Sequence, residues 1–219
     1  SLDGIWLYRL EVLGIYIFLL LFLYYLKTRR FRNLVVCFSC LLCLGIYHTV
    51  MRWYDRPCPS LVFYNVRGCP AIHCIAEDGT SWLNYADTLS DKRRLQAVAA
   101  NYWRRHQLLP PIEVTADCQN VDFCRHQQIV FYHGCRICMV TDNRWRNKSA
   151  ASPLFINYMY LCKGYNGRLE ELTGLFSPSC ILLDASLSDD RKQFFREECK
   201  RLHLHFITLS EEGSVRFLL

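Results

Sequence analysis

Two stretches near the start of the chain carry no charge at all: Val12–Leu26 (VLGIYIFLLLFLYYL) and Leu34–Met51 (LVVCFSCLLCLGIYHTVM). Extended back to Ile5, the first is interrupted only by Arg9 and Glu11. A membrane-spanning helix needs about 20 mostly apolar residues, so both runs predict spans. The segment between them, Lys27-Thr-Arg-Arg-Phe-Arg-Asn33, is short enough only for a tight hairpin and holds four cations and no anion. Cations of that density mark the cytoplasmic side, so both ends of the hairpin, and everything after Met51, are expected to face outward. Tyr24, Tyr25, Tyr47, Trp53 and Tyr54 fall where interfacial aromatics belong. No small-residue cleavage site follows the first run, which argues for a hairpin rather than a signal peptide.

Beyond Met51 the pattern shortens and alternates. Ser60–Tyr64, Ala71–Ala76 and Ser81–Tyr85 read as strands of a meander, with Glu77-Asp-Gly79 as a turn. Asp91–Gln107 sets Leu95, Val98, Ala99 and Tyr102 at helical spacing, with Ser90 or Asp91 as N-cap and Pro110-Pro111 as terminator. Gln128–Tyr132 and Arg136–Thr141 predict a hairpin around His133-Gly134. A polar loop, 142–153, leads to a strand at Asn157–Cys162, a helix at Leu169–Phe176 and a buried strand at Cys180–Asp184. Asp189–Leu202 predicts a helix with Phe194, Phe195, Cys199 and Leu202 on one stripe. His205–Leu209 and Ser214–Leu218 then read as a closing hairpin across Glu212-Gly213. β-Hairpins followed by a βαβαββ tail imply an α+β domain, two sheets sandwiched between helices. The expected division is a helical hairpin at 1–51 and a soluble domain at 52–219.

Charge and cysteine content refine this picture. The formal charge is +6, but residues 1–51 hold five Lys/Arg and two Asp/Glu, leaving 21 against 18 beyond them. An outward domain of about +3 is too mild to declare a nucleic-acid binder on charge alone. Of 13 cysteines, Cys37, Cys40 and Cys43 recur at three-residue spacing in the second span, as small residues that let helices approach. The other ten lie in the outward domain, where an oxidising compartment predicts some disulfides. Cys135-Arg-Ile-Cys138 has half-site zinc spacing but no second pair, and on a strand the two thiols point to opposite faces. Ser1 in place of Met suggests a piece of a longer protein.

The order of these elements, over nearly the whole chain, resembles the C-terminal part of ComEC-type competence proteins, in the divergent branch found in Bacteroidetes. Many members carry DVGQGDA before the first hairpin; the same slot here reads Asn65-Val-Arg-Gly-Cys-Pro-Ala71. Gly68 and Ala71 keep the turn, while both acidic positions are replaced, by Asn65 and Pro70. The family's HHGS turn falls at Leu161-Cys-Lys-Gly-Tyr-Asn-Gly167, and the closing segment Ile181–Leu219, with Glu211-Glu-Gly-Ser214 as turn, is the nearest correspondence. The resemblance implies a degenerate metallo-β-lactamase-like αββα sandwich behind the last spans of an inner-membrane channel for transforming DNA. It further implies a multi-pass protein with its soluble domain on the periplasmic side, working with other competence proteins and with the part of the chain upstream.

An active domain of that fold uses HxHxDH with further histidines and a bridging aspartate to hold two metals. The seven histidines are 48, 73, 106, 126, 133, 203 and 205, and no HxHxDH occurs. His203-Leu-His205 would share a face on a strand, though a half-exposed edge pair is the simpler reading. The strand–turn–helix junction at Ile156–Phe176 offers Cys162, Lys163, Tyr165 and Asn166, with Gly164 and Gly167 expected at positive φ. Asp184-Ala-Ser-Leu-Ser-Asp-Asp190 stands at a strand end but flows into a helix, so Ser188, Asp189 and Asp190 read as cap and dipole charges. Cys162 beside Lys163 has no local histidine and reads as structural. We therefore expect no catalytic residue, no metal and no cofactor. The rival reading is a metal-dependent nuclease that degrades the non-transported strand, with His203, His205 and Asp184 as ligands. Two basic clusters have the mix of cations and aromatics that holds single strands: Lys92, Arg93, Arg94, Trp103, Arg104 and Arg105 on the helix, and Arg144, Trp145, Arg146 and Lys148 in the loop. Single-stranded DNA and the membrane are the expected partners.

Overall fold

The computed structural model describes residues 9–85, 92–106 and 108–219. The chain forms two compact units. One holds the apolar helices through Arg56 and the end of a later helix from Trp103 on; the other holds the rest.

In the first unit, helices α1 (Arg9–Thr28) and α2 (Phe31–Tyr54) are joined by a turn at Arg29-Arg30, where Arg29 takes a left-handed φ of 46°. Stretches of 19 and 24 residues are long and apolar enough to cross a membrane, at 1.5 Å rise per residue. Gly14 makes the close approach possible: a Cβ there would overlap the side chain of Leu44. Cys37 is buried, Cys40 half-buried and Cys43 exposed. The expected shared cysteine face is thus only partly formed, because a three-residue step falls about 60° short of a full turn and the row drifts out of the contact. Glu11 is 4% exposed, and its carboxylate lies 2.7 Å from His48 Nδ1 across the pair.

The second unit holds two sheets. The first contains β1 (Ser60–Phe63), β2 (Ala71–Ile75), β3 (Ser81–Tyr85), β4 (Ile112–Val114) and β12 (Val215–Leu218), in the order β12-β1-β2-β3-β4. The second contains β5 (Cys118–Gln119), β6 (Phe123–His126), β7 (Ile129–Tyr132), β8 (Cys135–Val140), β9 (Leu154–Leu161), β10 (Phe176–Leu183) and β11 (Phe206–Thr208), in the order β11-β10-β9-β8-β7-β6-β5. Alternation decides what each strand contributes. Leu61, Phe63, Ile72 and Cys74 of the first sheet and Ile137, Met139, Tyr160 and Leu182 of the second form one core between the sheets. Trp82 and Phe123 stack there at 5.5 Å, and Tyr132 donates to Ile75 O at 2.6 Å, so aromatic contact and hydrogen bonds both tie sheet to sheet.

The opposite face of the second sheet is covered by helices. Cys138, Val140, Met159, Leu161, Ile181 and Leu183 pack with Leu169 and Leu172 of α4 (Leu169–Thr173) and Phe195 and Cys199 of α5 (Asp189–Arg201). Ser188 caps α5, accepting from Arg191 N at 3.4 Å, as its sequence predicts. α3 (Lys92–Arg105) buries Leu95 and Ala99, and the guanidinium of Arg216 on β12 lies 6.0 Å from the Tyr102 ring. The expected N-cap of α3, Ser90 or Asp91, lies outside the described residues. The mixed α+β class is as expected.

Three expectations need correction. The C-terminal strands are not a hairpin: β11 joins the second sheet, parallel to β10, and β12 joins the first, antiparallel to β1. The chain crosses between sheets through α6 (Leu209–Glu212) and Gly213 at φ 84°. Each strand is a good apolar edge, and local pattern does not reveal which sheet will receive it. Strands β4, β5 and β6 were not expected; they are two to four residues long and held by their neighbours rather than by alternation. Finally, all thirteen cysteines are free thiols, where some disulfides were expected. In the core they act as small apolar side chains; Cys135 and Cys138 do face opposite sides of β8, one toward each apolar cluster.

Candidate nucleic-acid interface

The two basic clusters differ in how they are built. Lys92 is the first residue of α3, and Arg93 and Arg94 follow, exposed. At the helix end, within the unit of the apolar helices, Trp103 is half-buried and Arg104 and Arg105 are exposed. Arg105 Nε lies 3.7 Å from Asp55 Oδ2.

In the 142–153 loop, each arginine already faces an acid. Arg144 Nη2 bonds Asp142 Oδ2 at 2.7 Å, with Nε 3.0 Å from both oxygens. Burial works to raise the Asp142 carboxyl, but the Arg144 bonds outweigh it and hold it below the usual carboxylate range. Arg146 Nε is 3.4 Å from Glu171 Oε2. Trp145 donates from Nε1 to Gln128 Oε1 at 2.6 Å, meets Phe176 edge-on at 5.0 Å and has the Lys148 ammonium 5.3 Å over its ring. The indole therefore pins the loop to the α4/α5 side of the second sheet. A base could stack on it only by displacing Lys148.

The strand–turn–helix junction after β9 is packed rather than reactive. Gly164 takes φ 118°, and a Cβ there would overlap Thr141 O. Gly167 does not take the expected positive φ; glycine is needed instead because the Tyr165 phenol occupies the space of a Cβ. Tyr165 is buried, donates to Arg168 O at 2.8 Å and stacks on Phe195. Asn166 N donates to Asn143 Oδ1 at 2.8 Å. Cys162 is buried, and burial together with the Asp184 charge pushes its thiol well above the ordinary range, away from the reactive thiolate.

At the end of β10, Asp184 is fully buried. It accepts from the Tyr160 phenol and from Ser186 N at 2.7 Å, while burial still raises its carboxyl. His205 Nδ1 lies 3.2 Å from Cys180 Sγ. His203 sits in the turn after α5 at φ 53°, so the two histidines do not share a strand face as expected. Among the described residues no three His, Cys, Asp or Glu side chains gather as a metal ion would require.

Beside Asp184 the chain opens a cavity of about 400 Å³ that sequence reasoning missed. Its lining includes Asn65 and Arg67 from the turn after β1, Ser188, Asp189 and Lys192 from the start of α5, and Ser210. Gly68 turns the first loop at φ 84°, and Asn65 N donates to Ser214 Oγ at 2.9 Å, which fixes Arg67 at the rim. The one local signal was Arg67 itself, a cation inside a tight turn. Apart from Asn65, the residues lining the cavity with it lie more than a hundred positions away.

The family model of the ComEC C-terminal domain matches residues 61–219, which includes both sheets, the helices packed on the second and this cavity. Neither the curated proteins nor the solved structures gave a match. With most of its length, and all of its twelve described strands but the first residue of β1, inside that match, the chain belongs to the ComEC C-terminal domain family.

Proposed function

We propose that this chain is part of an inner-membrane DNA-uptake channel for natural transformation, and that its soluble unit guides single-stranded DNA or braces the pore without catalysing a reaction. The observation that carries this reading is the family match over residues 61–219, since that family points to competence DNA uptake. The two apolar helices support a membrane association. Four cations in the segment between them favour a cytoplasmic turn and a periplasmic soluble unit. Two sheets packed face to face, with α4 and α5 on the outer side of the second, fit a degenerate metallo-β-lactamase-like sandwich. Asn65 and Pro70 stand where the family's acidic pair would be, and Asp184 is committed to Tyr160 and Ser186, which supports a non-catalytic unit.

The test uses the full chain in detergent with end-labelled duplex and single-stranded DNA, with and without zinc or manganese. Salt-dependent retention of the single strand, with both substrates intact, is expected. Stoichiometric metal together with strand cleavage would move the protein to the nuclease class.

A further inference from the structure

The turn after β1 and the start of α5 are about 120 residues apart in sequence, yet they close on the same 400 Å³ cavity. Its described lining carries two cations, Arg67 and Lys192, against one carboxylate, Asp189. That carboxylate does not cancel them inside the cavity. Its side chain is fully exposed, whereas Lys192 is only 13% exposed and lies 3.2 Å from it. An ion pair with one partner wholly in solvent is weak and exchanges readily. Ser188, Ser210 and Asn65 add hydroxyl and amide groups to the lining. No aromatic side chain is among the described residues that line it.

We propose that this cavity binds the phosphodiester backbone of a single strand, with Arg67 and Lys192 as the phosphate contacts. This rests on the strand-guiding reading above for the source of the phosphate. The chemistry follows from the lining. Guanidinium and ammonium groups at a rim take up phosphate oxygens, and the hydroxyls and Asn65 amide satisfy those that remain. With no ring to stack on, bases are left outside, so the contact positions a strand without reading its sequence. A volume of about 400 Å³ is at the small end of ligand sites, enough for one nucleotide's backbone unit rather than a folded duplex. The two loop arginines also face acids, but Asp142 and Glu171 are less exposed than Asp189 and hold their cations more firmly.

The experiment measures binding of a fluorescein-labelled thymidine strand of about 16 nucleotides, the upper site size of a single-strand groove, to the full chain in detergent over a range of salt. The variants are the Arg67→Gln/Lys192→Gln pair, the charge-keeping Arg67→Lys, and the Arg144→Gln/Lys148→Gln pair. The first pair is expected to bind about tenfold or more weakly and to lose about 1.4 from the salt slope, two single-strand phosphate contacts. Arg67→Lys should stay within about threefold of the parent, which separates charge from folding. If the parent binds and the first pair binds equally well, the cavity is not the site and the strand-guiding reading stands. Loss confined to Arg144→Gln/Lys148→Gln places the strand on the loop and overturns the proposal. If the parent holds no strand, both readings fall. Competition by thymidine monophosphate as effective as by the strand, per phosphate, overturns the strand as ligand in favour of a free nucleotide.

Discussion

At the scale of single residues, burial decides chemistry more than identity does. His73 points away from the inter-sheet core, fully buried, with Nδ1 2.9 Å from the Tyr64 hydroxyl. Burial disfavours the imidazolium and lowers its pKa to about 3 from the ordinary 6.5. A base depressed on folding binds its proton more readily in the unfolded chain. Its contribution is therefore complete above pH 6.5 and is lost as pH falls toward 3. The unfolding free energy should drop by up to ~1.4 kcal/mol per pH unit across that window. Thermal unfolding of the parent and of His73→Gln between pH 7 and 4 checks this: the parent should lose stability faster on acidification. Equal slopes would mean that His73 is not neutral and buried. Glu198 follows the same logic in another form. Its buried carboxylate accepts from Leu169 N at 2.7 Å and so starts α4, a role that no local pattern announces.

At the scale of elements, pattern and packing can be told apart. Both apolar helices are legible in the sequence, because an uncharged run of that length has few other fates in water or lipid. Their contact is not, since neither helix has a polar face from which to infer the side turned inward. Gly14 against Leu44 settles it. Gly14→Leu should push the helices apart and weaken their association, by an amount on the order of the 1–3 kcal/mol of an overpacked core site. A cysteine cross-link between positions flanking this contact, formed readily in the parent and slowly in the variant, would show the effect. Equal cross-linking would put the contact elsewhere. The closing strands make the complementary point. Phe206–Thr208 and Val215–Leu218 have the alternation and intervening glycine of a hairpin, yet each pairs with a different sheet. A four-residue helix between them turns the chain away before a hairpin register can form.

At the scale of the whole molecule, the thiols link composition to environment. Thirteen cysteines in a chain with an expected outward domain led to an expectation of disulfides, and none is formed. Burial raises Cys138 and Cys199 to about 12 and Cys180 to about 11, so these thiols stay protonated and unreactive at neutral pH. Alkylation of the non-reduced, denatured protein followed by mass measurement should find all thirteen thiols modified. In the folded protein Cys74, Cys138, Cys162 and Cys199 should react far more slowly than exposed Cys58. Pairs resistant to alkylation until reduction would overturn this account.

Composition and periodicity by themselves determined the two helices long and apolar enough to span a membrane, the mixed α+β class, the β7–β8 hairpin and the cap of α5. Each of these depends on neighbours within one or two turns, where spacing alone fixes which side chains meet. Only the tertiary structure decided which sheet receives each C-terminal strand, that Trp145 is a packing residue held by Gln128 and Phe176, and that Arg67 and Lys192 share a cavity. Those outcomes depend on contacts between residues tens to more than a hundred positions apart, and such contacts are set by how the sheets close on their common core.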